Sequence, residues 1–189
     1  MKRRSFIAGA SALGATVLSG CASQQIGDYS GQAPALDMRR YFNGMVDAYG
    51  VFTDRSGKVV KRFTVVMQCD WQGAPGQEEG VLDEDFLYSD GTQQKRVWRL
   101  KRQPGIGAQG HYIGHAGDVV GQAAGEERGN AFNWNYTLSL PVDGRVIEVH
   151  FDDWMYLMND RVMLNKATMS KWGVYLGEVT LSFSKRIAG

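Results

Sequence analysis

Strict alternation of apolar and polar residues limits the fold of this chain more than any other feature. In residues 132–140 every second side chain is apolar, and Asn, Thr or Ser lies between them. Successive side chains of a β-strand point to opposite faces, so such a segment buries one face and exposes the other. Residues 59–71 and 179–184 repeat the pattern. The apolar face of the clearest strand is formed by Phe132, Trp134, Tyr136, Leu138 and Leu140.

Turn signals join these alternating runs to their neighbours along the chain. Gly follows Asp or Ser at 56–57, 90–91 and 143–144, and Asp-Gly between alternating runs is a strong hairpin signal. Consecutive hairpins close best as an up-and-down barrel, because closure removes the exposed strand edges. We therefore predict an all-β fold, an antiparallel up-and-down meander closed as a β-barrel of about 8–10 strands.

The predicted elements leave little room for helix. A short helical turn is expected at residues 36–42, and long loops rich in Gly are expected at 103–110 and 116–129. The predicted strands lie roughly at 45–53, 58–71, 79–89, 94–102, 109–115, 131–141, 145–156, 161–169 and 174–185. A barrel of about eight strands is just wide enough to be filled by side chains or to hold one small ligand.

The N-terminus has the layout of an export signal. A basic start at residues 2–4 precedes an apolar run of 14 residues at 6–19. That run is too short to span a membrane, which takes about 20 apolar residues, and it fits the core of a signal peptide. Leu18-Ser19-Gly20-Cys21 matches a lipobox, so we predict cleavage before Cys21 and acylation of its thiol. An ordinary cleaved signal is the alternative.

The export signal predicts where the protein works. The expected place is the periplasmic side of the cell envelope, anchored to a membrane by the N-terminal lipid, and Ala22 favours the outer over the inner membrane. Arg3-Arg4 also fits a twin-arginine signal, so the export route stays open. The predicted division is a signal peptide at 1–20, a flexible lipidated tether at 21–34 and a barrel domain at 35–189.

Composition excludes some partners and cross-links. Without residues 1–20 the chain keeps 18 basic and 20 acidic residues, a net charge of −2. It has no basic stripe, so nucleic acid is not an expected partner. With Cys21 acylated, Cys69 is the one remaining cysteine. It falls on the apolar face of its strand and is expected to be a small core residue.

Eight short runs along the mature chain form a specific pattern when they are taken together. They are Tyr41-Phe42-Asn43-Gly44, Leu82-Asp83-Glu84, Ser89-Asp90-Gly91, Arg96-Val97-Trp98, Asp118-Val119-Val120-Gly121, Gly129-Asn130-Ala131, Asp152-Asp153-Trp154-Met155-Tyr156 and Gly177-Glu178-Val179-Thr180. The pattern resembles a bacterial lipoprotein family known only as a domain of unknown function, DUF3833. The resemblance implies a lipocalin-like barrel, which agrees with the alternation. It implies no established activity and no catalytic residues.

The hairpin around Gly91 offers the first candidate site. A three-residue loop at 90–92 would pair Trp98 with Glu84 and Arg96 with Phe86. Glu84 and Arg96 would then be diagonal neighbours on the inward face. Two interpretations stay open: a structural ion pair that closes the interior, or a ligand site in which Arg96 holds a carboxylate head.

The second candidate is the pair Asp152-Asp153. The apolar face of 145–156 is odd-numbered up to Phe151 and even-numbered from Trp154 onward. This switch predicts a β-bulge at the two acids, which could aim Asp153 at a site. The alternative is that the acids accept hydrogen bonds from nearby backbone N–H groups.

Metal and cofactor sites are not predicted. His111 and His115 are four residues apart, which on a strand separates them by about 13 Å. No catalytic triad signature, phosphate loop or nucleotide fingerprint is present in the sequence. We therefore expect no metal, no cofactor and no catalytic residue, and we leave any protein partner open.

Three functions remain in order of preference. The first is a binding protein that holds a small hydrophobic or amphipathic, fatty-acid-like ligand in the barrel or at its mouth. The second is a structural or interaction protein of the envelope with a filled core, and the third is an enzyme acting on lipid-derived substrates. The candidate ligand-binding residues are Glu84, Arg96, Trp98, Trp134, Tyr136 and Asp153.

Overall fold

Ten antiparallel strands form one closed barrel. The structure, a computed structural model, describes residues 23–104, 110–142 and 144–186. Each strand pairs with the next along the chain, and β1 pairs with β10 to close the ring. The strands are β1 (Gly44–Asp54), β2 (Val59–Gln72), β3 (Glu79–Tyr88), β4 (Gln93–Gln103), β5 (His111–His115), β6 (Ala123–Arg128), β7 (Ala131–Val142), β8 (Arg145–Leu157), β9 (Val162–Lys171) and β10 (Val174–Lys185). The predicted all-β up-and-down barrel is confirmed.

One end of the barrel is covered by the N-terminal segment. The short helix α1 (Met38–Tyr41) lies within the range predicted at 36–42, and the Tyr41 hydroxyl donates to the Arg161 carbonyl at 3.0 Å. Phe42 is 1% exposed, and its carbonyl accepts a hydrogen bond from the Trp71 indole. We call this the closed end. The opposite end, formed by the turns 54–59, 88–93 and 171–174 and by the paired strand ends Val142 and Arg145, is called the open end.

A second short helix, a 3₁₀ turn at Ile26–Tyr29, packs on the outside of the barrel. It contacts β6 and β7. These residues fall inside the segment 21–34 that the sequence predicts to be a tether. The domain boundary at residue 35 stays a prediction, but the chain already meets the barrel at residue 24, whose side chain accepts a hydrogen bond from Tyr156. Within the described ranges, no helix is long and apolar enough to cross a membrane.

Strand β6 was not expected, because its residues lie inside the predicted loop 116–129. Its sequence is Ala-Ala-Gly-Glu-Glu-Arg, which shows no alternation of large apolar side chains. The reason lies in the neighbouring strand. A Cβ atom on Gly125 would overlap the rings of Trp134 and Phe132. Large rings on β7 fill the space over β6. The inward positions of β6 must therefore be small, and the large apolar side chains that would reveal a strand are missing.

The β3–β4 hairpin has a loop of the predicted length but another position. The loop is 89–91, since Tyr88 and Thr92 are joined by a backbone hydrogen bond of 2.9 Å. Gly91 adopts a φ of 82°, and the Asp90 carboxylate accepts a hydrogen bond from the Thr92 N–H. The predicted pairing of Trp98 with Glu84 is therefore wrong by two residues. Glu84 lies directly opposite Arg96, and the two are not diagonal neighbours.

The predicted β-bulge at Asp152-Asp153 is wrong. The register of β8 is continuous with both β7 and β9, so Asp153 points inward by ordinary alternation. Trp154 lies on the outer face, where the Tyr29 ring covers it at 5.6 Å between centroids. The Tyr29 ring is also 5.4 Å from that of Tyr156. The apparent face switch reflects an outer surface buried by the 3₁₀ turn.

Replacing Tyr29 should therefore weaken the whole domain. We expect Tyr29→Ala to lower the free energy of unfolding by roughly 1–3 kcal/mol, because it removes two aromatic contacts and exposes Trp154. Urea unfolding followed by Trp fluorescence measures this change. Tyr29→Phe keeps the ring and should stay near the parent value. Tyr49→Ala, at a residue 58% exposed on β1, is the matched control. Equal losses for Tyr29→Ala and Tyr49→Ala would contradict the packing role.

Candidate functional site

The barrel encloses a cavity of about 710 Å³. Met38 and Phe42 form its floor at the closed end, while Tyr88 and Val142 reach it at the open end. Inward side chains near the floor are buried, and those near the mouth, such as Phe63, are partly exposed. Sites for small ligands typically measure about 300–1,000 Å³. The interior is therefore large enough to hold one small molecule.

Aromatic side chains make up much of the wall. The Trp98 ring lies 5.7 Å from that of Trp134 and 5.3 Å from that of Tyr136, both edge to face. Tyr136 in turn stacks on Phe151 at 5.0 Å. Alternation along β4 and β7 points these rings inward, as the sequence predicts for Trp98, Trp134 and Tyr136. They give the cavity a rigid apolar lining.

An ion pair crosses from the wall to a loop. The Arg96 Nε lies 3.1 Å and 3.0 Å from the two carboxylate oxygens of Asp118, and its Nη2 lies 2.7 Å from Oδ2. Both side chains are mostly buried. Although desolvation by burial opposes it, hydrogen bonding to Asp118 raises the pKa of Arg96 above its usual value. The guanidinium is therefore held charged and oriented by a carboxylate of the protein itself.

The loop that carries Asp118 closes a gap in the barrel wall. Strands β5 and β6 are short, so the halves of β4 and β7 nearest the open end have no strand between them. Residues 118–120 fill this gap. The Ser139 N–H donates to the Asp118 carbonyl at 2.8 Å, and the Val120 N–H donates to the Thr137 carbonyl at 2.9 Å. These bonds fix the backbone of Asp118 beside Arg96.

Glu84 is a buried carboxyl that no described residue binds by a hydrogen bond. It is 9% exposed, lines the cavity and accepts no hydrogen bond from the described part of the chain. Arg96 lies directly opposite on β4 but forms no ion pair with it. Desolvation by burial raises the pKa of Glu84 to about 7, Arg96 opposes the rise, and Asp118, Asp153 and Asp83 add to it.

Asp153 is also buried, but both of its carboxylate oxygens accept hydrogen bonds. Its Oδ2 accepts a hydrogen bond from the Tyr136 hydroxyl at 3.1 Å, and its Oδ1 accepts one from the side-chain amide of Asn165. Burial raises the pKa of Asp153 to about 6, although both hydrogen bonds act in the opposite direction. Its neighbour Asp152 accepts a hydrogen bond from the Asn133 side chain at 2.7 Å, not from the backbone.

All six candidate residues predicted from the sequence line this one cavity. They come from four strands and meet only because the sheet is closed. The expectation that Glu84 is the ionic partner of Arg96 is wrong, because Asp118 takes that place. Cys21 and the signal segment lie outside the described residues.

Asn165 and Asp118, which bind candidate residues of the cavity, are absent from the sequence prediction. Asn165 could have been found, because it shares a strand face with Met163 and Ala167 and is the one polar residue of the three. Asp118 gives no such signal, since it lies in a segment without alternation. Away from the cavity, His111 lies near Glu126, and the described ranges contain no group of three side chains able to hold a metal ion.

Comparison with known proteins identifies the family and the fold. A model of the family described as "Protein of unknown function (DUF3833)" matches residues 15–185. No curated protein matches the sequence. The structure is similar to that of the S-type phycobiliprotein lyase CPES from Guillardia theta, with a TM-score of 0.57 and 8% sequence identity. The similarity covers 78% of this chain and 89% of that one. At such low identity it supports the lipocalin-like barrel fold alone.

The buried Glu84 predicts a dependence of stability on pH. The folded protein holds a proton on Glu84 up to about pH 7, whereas the unfolded chain releases it near 4.5. The folded state thus binds more protons between these values, so the free energy of unfolding falls as the pH rises through them. Glu84→Gln should remove up to roughly 3 kcal/mol of this fall.

Urea unfolding at pH 5 and pH 8 measures the effect. Asp153 contributes a fall of the same sign, but it is present in both proteins and largely cancels in the comparison. Asp85→Asn on the same strand is the control, because the Asp85 side chain is 68% exposed. A fall as steep in Glu84→Gln as in the parent protein would show that Glu84 is not buried as described.

Proposed function

The chain belongs to the DUF3833 family, and we propose that it is a binding protein that holds one small amphipathic molecule inside its barrel. The observation that carries the proposal is the cavity of about 710 Å³, whose apolar wall is interrupted by a polar cluster of Glu84, Arg96, Asp118 and Asp153. An apolar pocket with a few convergent polar groups is the usual form of a small-molecule site. An alkyl chain fits the apolar wall, and the polar cluster fits a head group.

A purely structural role explains this interior less well. Protein cores are close-packed, and a large cavity lined by apolar groups lowers stability. Glu84 adds a second cost, because burial disfavours its ionised form and no hydrogen bond from the described residues offsets that cost. A bound ligand offsets both costs, since a molecule that binds only the folded state stabilises it.

An enzymatic role has weaker support. Glu84 and Asp153 have raised pKa values and lie in a cavity, which suits proton transfer. However, the Asp153 carboxyl is already held by Tyr136 and Asn165. The Tyr136 hydroxyl donates to Asp153, but burial raises the pKa of Tyr136 well above its usual value, so this hydroxyl is a poor nucleophile. Binding accounts for the geometry without such a reaction.

We also propose that the protein is anchored in the cell envelope through lipid on Cys21, as the signal segment predicts. The position of Gln24 makes this proposal more specific. Its side-chain oxygen accepts hydrogen bonds from the Tyr29 and Tyr156 hydroxyls, at 2.9 Å and 3.1 Å. Tyr156 lies near the closed end of β8. Cys21 and Gln24 are three steps apart along the chain, with two residues between them, and can be separated by about 11 Å at most.

An anchor at the closed end would turn the mouth of the cavity away from the anchoring membrane. The 13 residues of β8 rise about 3.3 Å each, and tilted strands of this length make a barrel about 30 Å tall. The mouth would face the aqueous compartment at that distance. On this proposal a ligand enters from solution or from a second carrier, and not directly from the lipid around the anchor.

The cavity proposal predicts that filling the mouth prevents binding. Leu140→Trp adds a ring inside the open half of the barrel, and we expect it to weaken binding of the uncharged probe N-phenyl-1-naphthylamine about tenfold or more. Leu164→Trp adds the same ring on the outer face, where Leu164 is 44% exposed, and should leave binding unchanged. Fluorescence titration measures both. Equal affinities in the two variants would place the probe outside the barrel.

The anchor proposal predicts both attachment and orientation. Cys21→Ser should abolish acylation and release the protein from membranes, which mass spectrometry and fractionation would detect. For orientation, a fluorophore on Asp160→Cys at the closed end should be quenched by nitroxide lipids in vesicles, and one on Val174→Cys at the open end should not. Cys69 should not be labelled, because it is buried and burial raises its pKa to about 12. Stronger quenching at Val174→Cys would reverse the proposed orientation.

A further inference from the structure

We propose that the ligand of this cavity carries a hydrogen-bond-donating head, an amine above all, and that Glu84 is its acceptor. This inference rests on the proposed binding function and narrows it to one chemical class. It differs from the sequence expectation of a fatty-acid-like ligand whose carboxylate is held by Arg96.

The first argument is the balance of charge along the cavity. Three carboxyl groups line the wall, on Glu84, Asp118 and Asp153, against the single guanidinium of Arg96. The other basic lining residue, Lys61, lies at the mouth and forms an ion pair with Asp90 at 2.9 Å. The lining therefore carries an excess of acidic groups, which disfavours an anionic head and favours a cationic one.

The second argument is that Arg96 is already engaged. Its Nε and Nη2 point at the two oxygens of Asp118 at 2.7–3.1 Å, the forked geometry that a ligand carboxylate would need. A fatty acid would have to displace Asp118 and leave that carboxylate buried without a partner. Removing one member of a buried ion pair is strongly unfavourable, so the Arg96 site is closed to such a head.

The third argument is that Glu84 is the open acceptor. It is nine-tenths buried, faces the cavity and accepts no hydrogen bond from the described residues, whereas Asp153 is held by Tyr136 and Asn165. An ionised carboxylate can only accept hydrogen bonds. A donor head on the ligand would satisfy it, and an ammonium would also neutralise it. Hydrogen bonds between charged partners are about twice as strong as neutral ones.

The groups around Glu84 set how its charge depends on pH. Arg96 on β4 favours its ionised form, while Asp118 on the loop, Asp153 on β8 and Asp83 on its own strand oppose that form. Cys69 on β2 is a buried neutral thiol. Glu84 thus ionises near pH 7, and an ammonium ligand, which stays protonated at that pH, should bind more tightly as the pH rises from 6 to 8.

Three ligands with the same chain test the proposal: dodecylamine, dodecanol and dodecanoate. Each is titrated into the purified protein as a competitor of N-phenyl-1-naphthylamine at pH 6 and pH 8. At pH 8 we expect dodecylamine to bind about tenfold or more tightly than dodecanoate, with dodecanol between them. Dodecylamine alone should gain affinity from pH 6 to pH 8. Glu84→Gln should remove that gain and the preference for the amine, and Asp85→Asn should keep both.

The possible outcomes separate the two proposals. If dodecanoate binds as tightly as dodecylamine, or if Glu84→Gln leaves the order unchanged, the assignment of the head group is wrong and the binding function stands. If none of the three displaces the probe, the binding function itself fails. The pH dependence is measured on the parent protein, so the test holds even if Glu84→Gln does not fold.

Discussion

Pairing of β1 with β10 is the contact on which the rest of the structure depends. It runs from Val46 opposite Lys185 to Asp54 opposite Gly177, and it turns a meander into a ring without edges. In a closed ring every second residue of every strand faces the same interior. Eight strands leave a space that side chains can fill, whereas ten strands enclose more. The ring of ten strands therefore leaves room for the cavity of about 710 Å³.

The chemistry of the cavity depends on a gap in the barrel wall, where two strands are short. Because β5 and β6 are short, the chain crosses the gap as a loop, and that loop brings Asp118 to Arg96. Glu84 therefore lies opposite a guanidinium whose Nε and Nη2 already donate to Asp118. From the sequence, Arg96 makes the interior look suited to an anionic head group. Because Asp118 already pairs with Arg96, the interior is suited instead to a head group that donates hydrogen bonds. The change comes from one carboxylate that no strand pattern reveals.

The inward faces could be predicted even where the pairing could not. The β3–β4 register was misplaced by two residues, and a shift of two preserves which face each side chain takes, so Glu84 and Arg96 still point inward. Prediction failed where a distant segment changed the local pattern. The rings of β7 leave room only for Gly at position 125, so β6 lacks the alternation that predicts a strand. The ring of Tyr29 buries Trp154 on the outer face, and this burial gives β8 the sequence pattern expected of a bulge.

The sequence by itself determined nine of the ten strands and their inward faces, because alternation with a period of two is a property of the local backbone. The turn signals between these strands determined the all-β up-and-down order, which closes best as a barrel. The sequence also predicts the anchor at Cys21. Only the tertiary structure decided that Asp118 pairs with Arg96, that Glu84 finds no hydrogen-bond partner among the described residues, and that the N-terminal segment closes the end opposite the mouth. These features depend on strand lengths and on contacts between residues far apart in the chain, and no local period of the sequence encodes them.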